Sequence, residues 1–391
     1  MKQINNLPIL GFGAMRLPDN FDESEKLVLR AIEKGVNYFD VAYIYTGKEA
    51  LLGKILHKNS LRKQVSIATK LPLFLCKNPT DFDKFFYKQL SRLKTDYVDY
   101  YLLHMLNSPN ELSELFAMGL EKWIISKKQT GEIKQIGFSF HGKAHDFITL
   151  TDAYNWDFCM IQYNYLDINN QAGINGLKHA YSKGIPIIVM EPLRGGLLAE
   201  PKGFPPKVLK LFGETPPARY ALKWLWNHEE ISCVLSGMCN MSQLEDNIAV
   251  ANESFPGCMT ADELELIEKA REAFNELNRI PCTGCDYCMP CPVGVNIPGC
   301  FAAYNDFSAG KKKQGKGQYL LNTGVLHSKN GVAGACVNCG KCEPRCPQEI
   351  PIATSLKEVS RKMEPFWFKL SMSFARKFIT GKKTRGQPKL N

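Results

Sequence analysis

Four residues in this chain of 391 residues are of types that move a proton onto or off an oxygen, and each stands where a β-like run ends or in the loop just after it. Asp40 closes the run Tyr38-Phe-Asp40, and the phenol Tyr45 follows in the next loop. Lys70 closes Val65–Lys70, and His104 closes Tyr97–His104. An unperturbed tyrosine titrates near pH ~10, and a nearby ammonium favours the phenolate and lowers that value. Alone, a strand-end lysine reads as a solvated charge and a lone histidine as structural. Asp, Tyr, Lys and His together, all at strand ends or the loops after them, are not expected by accident.

A second set carries different chemistry. Cys336-x2-Cys339-x2-Cys342-x3-Cys346-Pro347 has the bacterial ferredoxin spacing, in which three thiolates wrap one iron–sulfur cubane and the fourth reaches another cluster. Cys282-x2-Cys285-x2-Cys288-x2-Cys291-Pro292 is one residue short of that spacing before its last cysteine, which leaves Cys300 as a weaker substitute for Cys291. The spacing predicts one [4Fe–4S] cluster on Cys282, Cys285, Cys288 and Cys346, and a second on Cys336, Cys339, Cys342 and Cys291. Zinc is the alternative, since two C-x2-C pairs make an all-thiolate site. Two runs of four cysteines, each followed by proline, exceed what zinc needs. Cys76, Cys159, Cys233, Cys239, Cys258 and Cys300 read most simply as core or incidental thiols.

The strand-end residues require a scaffold that gathers strand ends. Residues 1–257 alternate β-like runs (Ile9–Gly13, Tyr38–Asp40, Val65–Lys70, Tyr97–His104, Ile133–Ser139, Phe158–Gln162, Ile185–Glu191, Cys233–Ser236) with helical stretches such as Lys48–Lys58, Asp81–Leu93, Asn110–Lys128, Ile174–Lys183 and Pro217–His228. Lys34-Gly35, Thr130-Gly131 and Lys183-Gly184 are helix stops. Eight alternations over about 250 residues predict a closed (β/α)8 barrel with its chemistry at the C-terminal rim. A doubly wound sheet is the runner-up, but no G-x-G-x-x-G follows the first strand.

With these residues in view, the chain resembles the aldo-keto reductases over about residues 1–255. The resemblance rests on Asp40 through Tyr45, Ile67-Ala-Thr-Lys70, Leu102-Leu-His104, Leu10-Gly-Phe-Gly-Ala-Met-Arg-Leu17, Ile136-Gly-Phe-Ser139, Gln162-Tyr-Asn164, Glu191-Pro-Leu-Arg-Gly-Gly196 and Asp246-Asn247. The remainder resembles two-cluster ferredoxins, so the whole is similar to aldo-keto reductases with a C-terminal iron–sulfur domain. The resemblance implies reduction of an aldehyde or ketone by NADP or NAD in its reduced form. It implies Tyr45 as general acid, Lys70 and Asp40 tuning it, and His104 orienting the carbonyl. It places Ser139, Gln162 and Asn164 on the nicotinamide side and Leu193, Gly195 and Asn247 around the rest of the dinucleotide. Ser236–Asn247 lacks the Lys and Arg that grip a 2′-phosphate, which leaves NADP or NAD open. Hydride moves two electrons and a cubane one, so a flavin or a redox-partner protein is expected to join them, and no flavin fingerprint is visible. The rival reading is an electron-transfer module whose barrel is a scaffold or cofactor sensor.

Residues 258–280 read as a connecting helix, 281–354 as a small α+β ferredoxin-like domain, and 355–391 as a basic amphipathic tail. Between the cysteine runs, Phe307 to Lys329 reads as a surface loop with room for a helical turn, not as a third domain. An apolar content of 45% suffices for a large core. No run reaches the ~20 apolar residues of a membrane-spanning helix, and Met1-Lys-Gln-Ile-Asn-Asn lacks a signal-peptide build. The protein is therefore expected in the cytoplasm, where disulfides are rare and its fourteen cysteines point to metal. The tail from Lys357 holds ten Lys or Arg against two acids, a net +8 of the chain's +10. Phe366, Leu370 and Phe374 share a helical face there, suited to docking on the rest of the chain or to peripheral membrane contact. A nucleic-acid partner is not expected.

Overall fold

Strand and helix periodicity alternate along the first two-thirds of the chain because each strand is apolar on both faces and each helix on one. That combination buries itself by wrapping helices around a parallel sheet. The computed structural model describes residues 2–4, 7–199, 206–277, 280–308, 312–323 and 331–365. Its eight parallel strands are β1 (Leu10–Gly13), β2 (Tyr38–Asp40), β3 (Ser66–Leu71), β4 (Val98–Leu103), β5 (Ile133–Phe140), β6 (Phe158–Gln162), β7 (Ile187–Met190) and β8 (Cys233–Ser236). They close into the barrel that the alternation predicts: β8 pairs with β7 and also with β1, Val234 opposite Leu10. A short antiparallel pair, Gln3–Ile4 with Leu7–Pro8, precedes β1.

The helices follow local signals. In α1 (Phe21–Glu33) the Asn20 side chain caps the Glu23 N–H at 3.0 Å, and the chain leaves the helix through Gly35 at φ 85°. Then come α2 (Lys48–Lys58) and α3 (Thr80–Leu93). The single helix predicted over Asn110–Lys128 is two, α4 (Pro109–Ala117) and α5 (Leu120–Gln129). Gly119 separates them at φ 93°, a left-handed conformation that ends one helix and opens the next. The outer ring continues with α6 (Ala144–Ala153), α7 (Gly173–Ser182), α8 (Pro206–Phe212), α9 (Pro217–Trp226) and α10 (Met241–Glu253).

The barrel interior is a packed layer of Tyr38, Ala68, Tyr100, Leu102, Phe158, Met160, Ile188, Cys233 and Leu235. The Tyr100 ring meets Tyr38 and Phe158 edge-on at 5.0 and 5.2 Å between centroids. Side chains two residues apart on a strand share a face. The next inward positions toward the C-terminal rim are therefore Asp40, Lys70, His104, Gln162 and Met190, directly above this layer. Gly137 on β5 makes room for Phe158: a Cβ there would lie 2.4 Å from the Phe158 carbonyl oxygen and 2.8 Å from its ring.

The chain divides between Arg271 and Glu272 into two units, the division falling within α11 (Ala261–Leu277). Among its described residues the second unit has helices and 3₁₀ turns and no strand, where an α+β mixture is predicted. Its cysteine loops are short and punctuated by Gly and Pro, which leaves no run long enough to pair. α12 (Ile297–Ser308), α13 (Lys312–Thr323) and α14 (Ile352–Met363) bury Phe301, Tyr304, Tyr319, Leu356, Val359 and Met363 together. α13 lies in the stretch predicted as a surface loop. Its Gly315 lets it approach α12 closely, since a Cβ there would stand 2.7 Å from the Ala303 carbonyl oxygen. α14 runs through position 355, so the start of the expected tail belongs to this core; Phe366, Leu370 and Phe374 lie outside the described residues.

Gly137→Ala must displace Phe158 or bend β5, an overpacking expected to cost about 1–3 kcal/mol. Urea unfolding followed by barrel tryptophan fluorescence should show that loss; a variant as stable as the parent would contradict the packing described.

Candidate functional site

The rim of the barrel gathers the four strand-end residues. Lys70 Nζ donates to Asp40 Oδ1 at 2.6 Å and to the Val41 carbonyl oxygen at 2.8 Å, with both side chains buried. Tyr45 sits in the loop from β2 to α2, held by its N–H to the Ala42 carbonyl and by Lys48 N–H to its own carbonyl, both at 3.0 Å. Lys70 Nζ lies over the Tyr45 ring, 5.3 Å from its centroid. His104 directly follows β4 and is 2% exposed. Behind β3, Gln89 Nε2 donates to the Lys70 carbonyl at 3.0 Å and to buried Glu49 at 2.8 Å, which fixes the strand against α2 and α3.

Burial shapes the charges here. It raises the Asp40 carboxyl and lowers the Lys70 amine, each opposed by attraction to the other. Desolvation outweighs the pair's attraction, so Lys70 holds its proton less tightly than a free lysine. His104 is pushed well below the usual histidine range, first by burial, then by the Lys70 charge and by His141. The ring is therefore neutral, and its buried Nδ1 has no hydrogen-bond partner among the described residues.

On the opposite side of the mouth the predicted cofactor residues are engaged with the protein itself. Ser139 Oγ accepts from the Met105 N–H at 2.9 Å, tying β5 to the residue after His104. Gln162 and Asn164 both donate to Asp167 Oδ2, at 2.9 and 3.0 Å, and Arg194 Nε lies 3.2 Å from the same oxygen. Leu193 and Gly195 belong to the loop after β7, where Arg194, Gly195 and Gly196 all have positive φ. Asn247 Nδ2 donates to Ser236 Oγ at 2.9 Å, joining α10 to β8.

Three residues here are given no role by the sequence pattern. Asp167 is the hub that holds Gln162, Asn164 and Arg194. His141, two residues beyond Ser139, is buried, bonds through its side chain to Gln171, and is pushed down to about 4 by burial. Glu191 follows β7; burial, then Asp167, pushes its carboxyl up to about 7. The strand-end rule that picks out Asp40 and Lys70 would also reach Glu191 and His141. Met105, Gln171, Glu191 and Arg194, all in rim loops, have left-handed backbones, a strain that concentrates at functional sites.

In the second unit Cys282, Cys285, Cys288 and Cys346 line one cavity, and Cys291, Cys336, Cys339 and Cys342 line a second, which Cys288 also touches. Left-handed Gly284 and Asp286 curl the first loop, and Asn338 and Gly340 the second. Cys300 lines neither cavity; it is buried in the helical core with Sγ donating to the Gly331 carbonyl at 3.4 Å. Burial, with the neighbouring thiols adding, pushes Cys282 to about 11 and Cys288 to about 12. Such thiols ionise together only when a cationic core shares their charge. Among the described residues no group of three or more His, Cys, Asp or Glu gathers as a single metal ion requires. The cysteines that line the two cavities are of the donor type an iron–sulfur cubane takes. Nor does any described helix have the length and apolarity to cross a membrane.

Residues 9–272 match the Aldo/keto reductase family and residues 281–350 match the 4Fe-4S dicluster domain. The chain is 28% identical over 304 residues to an L-galactose dehydrogenase of Arabidopsis thaliana, covering 68% of this chain and 92% of that one. It is 26% identical over 285 residues to an aldo-keto reductase of Mycobacterium marinum, covering 70% and 89%. Among solved structures, the holo form of aldo-keto reductase AKR11C1 from Bacillus halodurans superposes with a TM-score of 0.56 at 24% identity, over 69% of this chain and 95% of that one.

The two neutral histidines set a pH dependence. The unfolded chain protonates His141 near its ordinary 6.5 and the native chain only near about 4. Unfolding free energy therefore falls as pH drops through that window, by up to ~1.4 kcal/mol per pH unit for one proton. His141→Asn should flatten the slope by about one proton's worth; an unchanged slope would show the ring already charged in the fold.

Proposed function

The chain belongs to the aldo/keto reductase family and carries a 4Fe-4S dicluster domain; from that premise we propose that it reduces an aldehyde or ketone at the barrel rim, with iron–sulfur clusters of the second unit exchanging electrons with a redox partner. The observation that carries this reading is Lys70, bonded to Asp40 at 2.6 Å and facing the Tyr45 ring at 5.3 Å.

A reduced nicotinamide, NADH or NADPH, supplies hydride when bound. Everything else falls to the chain. Tyr45 gives its proton to the carbonyl oxygen as charge develops there. The ammonium facing the phenol favours the negative charge Tyr45 takes on, and Asp40 keeps that ammonium in place. Neutral His104 can donate one hydrogen bond to the same oxygen, which a charged imidazolium beside Lys70 would make costly. Ser139, Gln162 and Asn164 would hold the nicotinamide amide, with Asp167 fixing the two amide side chains. The loop of Leu193, Arg194 and Gly195 would lie along the pyrophosphate, and Asn247 near the adenosine end. Asp40, Tyr45, Lys70 and His104 are the proposed catalytic set.

The thiols would hold two [4Fe–4S] clusters, one on Cys282, Cys285, Cys288 and Cys346, the other on Cys291, Cys336, Cys339 and Cys342; such clusters supply one-electron transfer when bound. This favours Cys291 over Cys300 as the last ligand, because Cys291 lines the second cavity and Cys300 neither.

Tyr45→Phe should leave nucleotide binding by fluorescence titration intact and lower carbonyl reduction by about 10²–10⁴-fold. Full turnover without the hydroxyl would remove the assignment. Electron uptake by the clusters with no carbonyl reduced by the parent protein would instead favour the barrel as scaffold or sensor. Anaerobic preparation should yield about eight irons per chain, and Cys339→Ala about four; zinc in place of iron would end the cluster reading.

A further inference from the structure

The two cysteine cavities differ in their surroundings. The one lined by Cys282, Cys285, Cys288 and Cys346 has Asp286 as its charged neighbour and is walled by Phe301, Ile350 and Ile352. The second opens on an apolar rim left in water: Val337 is 62% exposed and Val293 37%, and Cys339 itself is exposed. Exposed Pro290 and Pro292 extend that rim.

The charge on this rim is of one sign. Lys341 and Arg345, both exposed, line the same cavity. Residues 288–297 contain no charged side chain, and Glu343 is the one acid between Cys336 and Cys346. Glu343 is half-buried, and its Oε1 is engaged by the Ala353 N–H at 3.0 Å in the first turn of α14. The result is a small apolar patch, two cations, and a cysteine ligand at the surface.

We propose that the rim of Val293, Val337, Lys341 and Arg345 is the docking face for a one-electron carrier protein with an acidic surface around its own redox centre. The inference rests on the two-cluster reading above. A small apolar contact keeps the complex short-lived, as redox encounters below about 1,200 Å² are, while opposite charge speeds and orients the approach. The exposed Cys339 brings the partner's centre near the thiolates. In each encounter the reduced carrier loses one electron and the cluster on Cys291, Cys336, Cys339 and Cys342 gains it; no bond forms and no proton moves. An anionic lipid surface also attracts cations but calls for a larger basic cluster than these two side chains.

The test uses the full chain, prepared anaerobically, with an acidic flavodoxin in its hydroquinone form as probe and bleaching of cluster absorbance as readout. The rate should fall with rising salt, and Lys341→Glu/Arg345→Glu should slow it about tenfold at low ionic strength, with the difference gone at high salt. Iron content is measured on every sample. Should the double reversal lose iron, Lys341→Gln/Arg345→Gln replaces it, with about a threefold slowing expected. Equal rates in parent and variant, both with full iron, would overturn the docking face. So would binding to phosphatidylserine vesicles that the substitutions abolish while electron transfer stays unchanged. A parent protein without iron would instead bring down the cluster reading itself.

Discussion

A lysine and an aspartate on adjacent strands, both closed off from water, face each other across 2.6 Å at the mouth of the barrel. Placing either charge there alone would cost several kcal/mol, and their attraction returns only part of it. Both groups accordingly shift toward their neutral forms. In the proposed reaction, an amine that holds its proton loosely, pinned by a carboxylate and a carbonyl, would present its positive charge to the phenol ring. The aromatic layer below excludes water and makes that charge strong. Because Asp40 and Lys70 are the last inward positions of β2 and β3, the register of those two strands, with Asp40 opposite Ala68, decides whether the pair forms at all.

The second unit meets a like-charge problem rather than an opposite-charge one. Eight cysteines in two cavities would repel as thiolates, and burial already holds Cys282 and Cys288 in the thiol form. A core of α12, α13 and α14 supplies the rigidity, and the cysteine loops lie on it. Tyr319 binds that core together, donating to Glu364 and accepting the Ala333 N–H at 2.9 Å, next to the loop that carries Cys336. The hydride chemistry proposed for one unit and the electron chemistry proposed for the other thus rest on separate cores, each with its own electrostatic constraint.

Much of the site is legible from local pattern. Asp40, Lys70 and His104 announce themselves as polar residues ending apolar runs, and the cysteines by spacing alone. Other parts are not. Asp167 looks like an ordinary turn residue after Asn164; it matters because Gln162 from β6 and Arg194 from beyond β7 converge on one of its oxygens. α13 reads as loop because two glycines, Gly315 and Gly317, interrupt its polar first half, yet burial of Tyr319 and the close approach at Gly315 override propensity. The break at Gly119 is visible only as one glycine in a helical stretch, since a glycine can also pass through a helix at modest cost.

What the order of residues determines by itself is periodicity and spacing: eight strand–helix alternations, a proton-handling residue at the end of each of three strands, and two cysteine runs of cubane spacing. These are properties of neighbours along the chain, and the backbone geometry that reads them is local. Which charge faces which ring, which histidine stays neutral, and which cavity each cysteine lines are decided only when strands distant in sequence close into a barrel and loops fold onto a helical core. The physical reason is that desolvation and Coulomb energy depend on separation in space, and sequence distance carries almost no information about that.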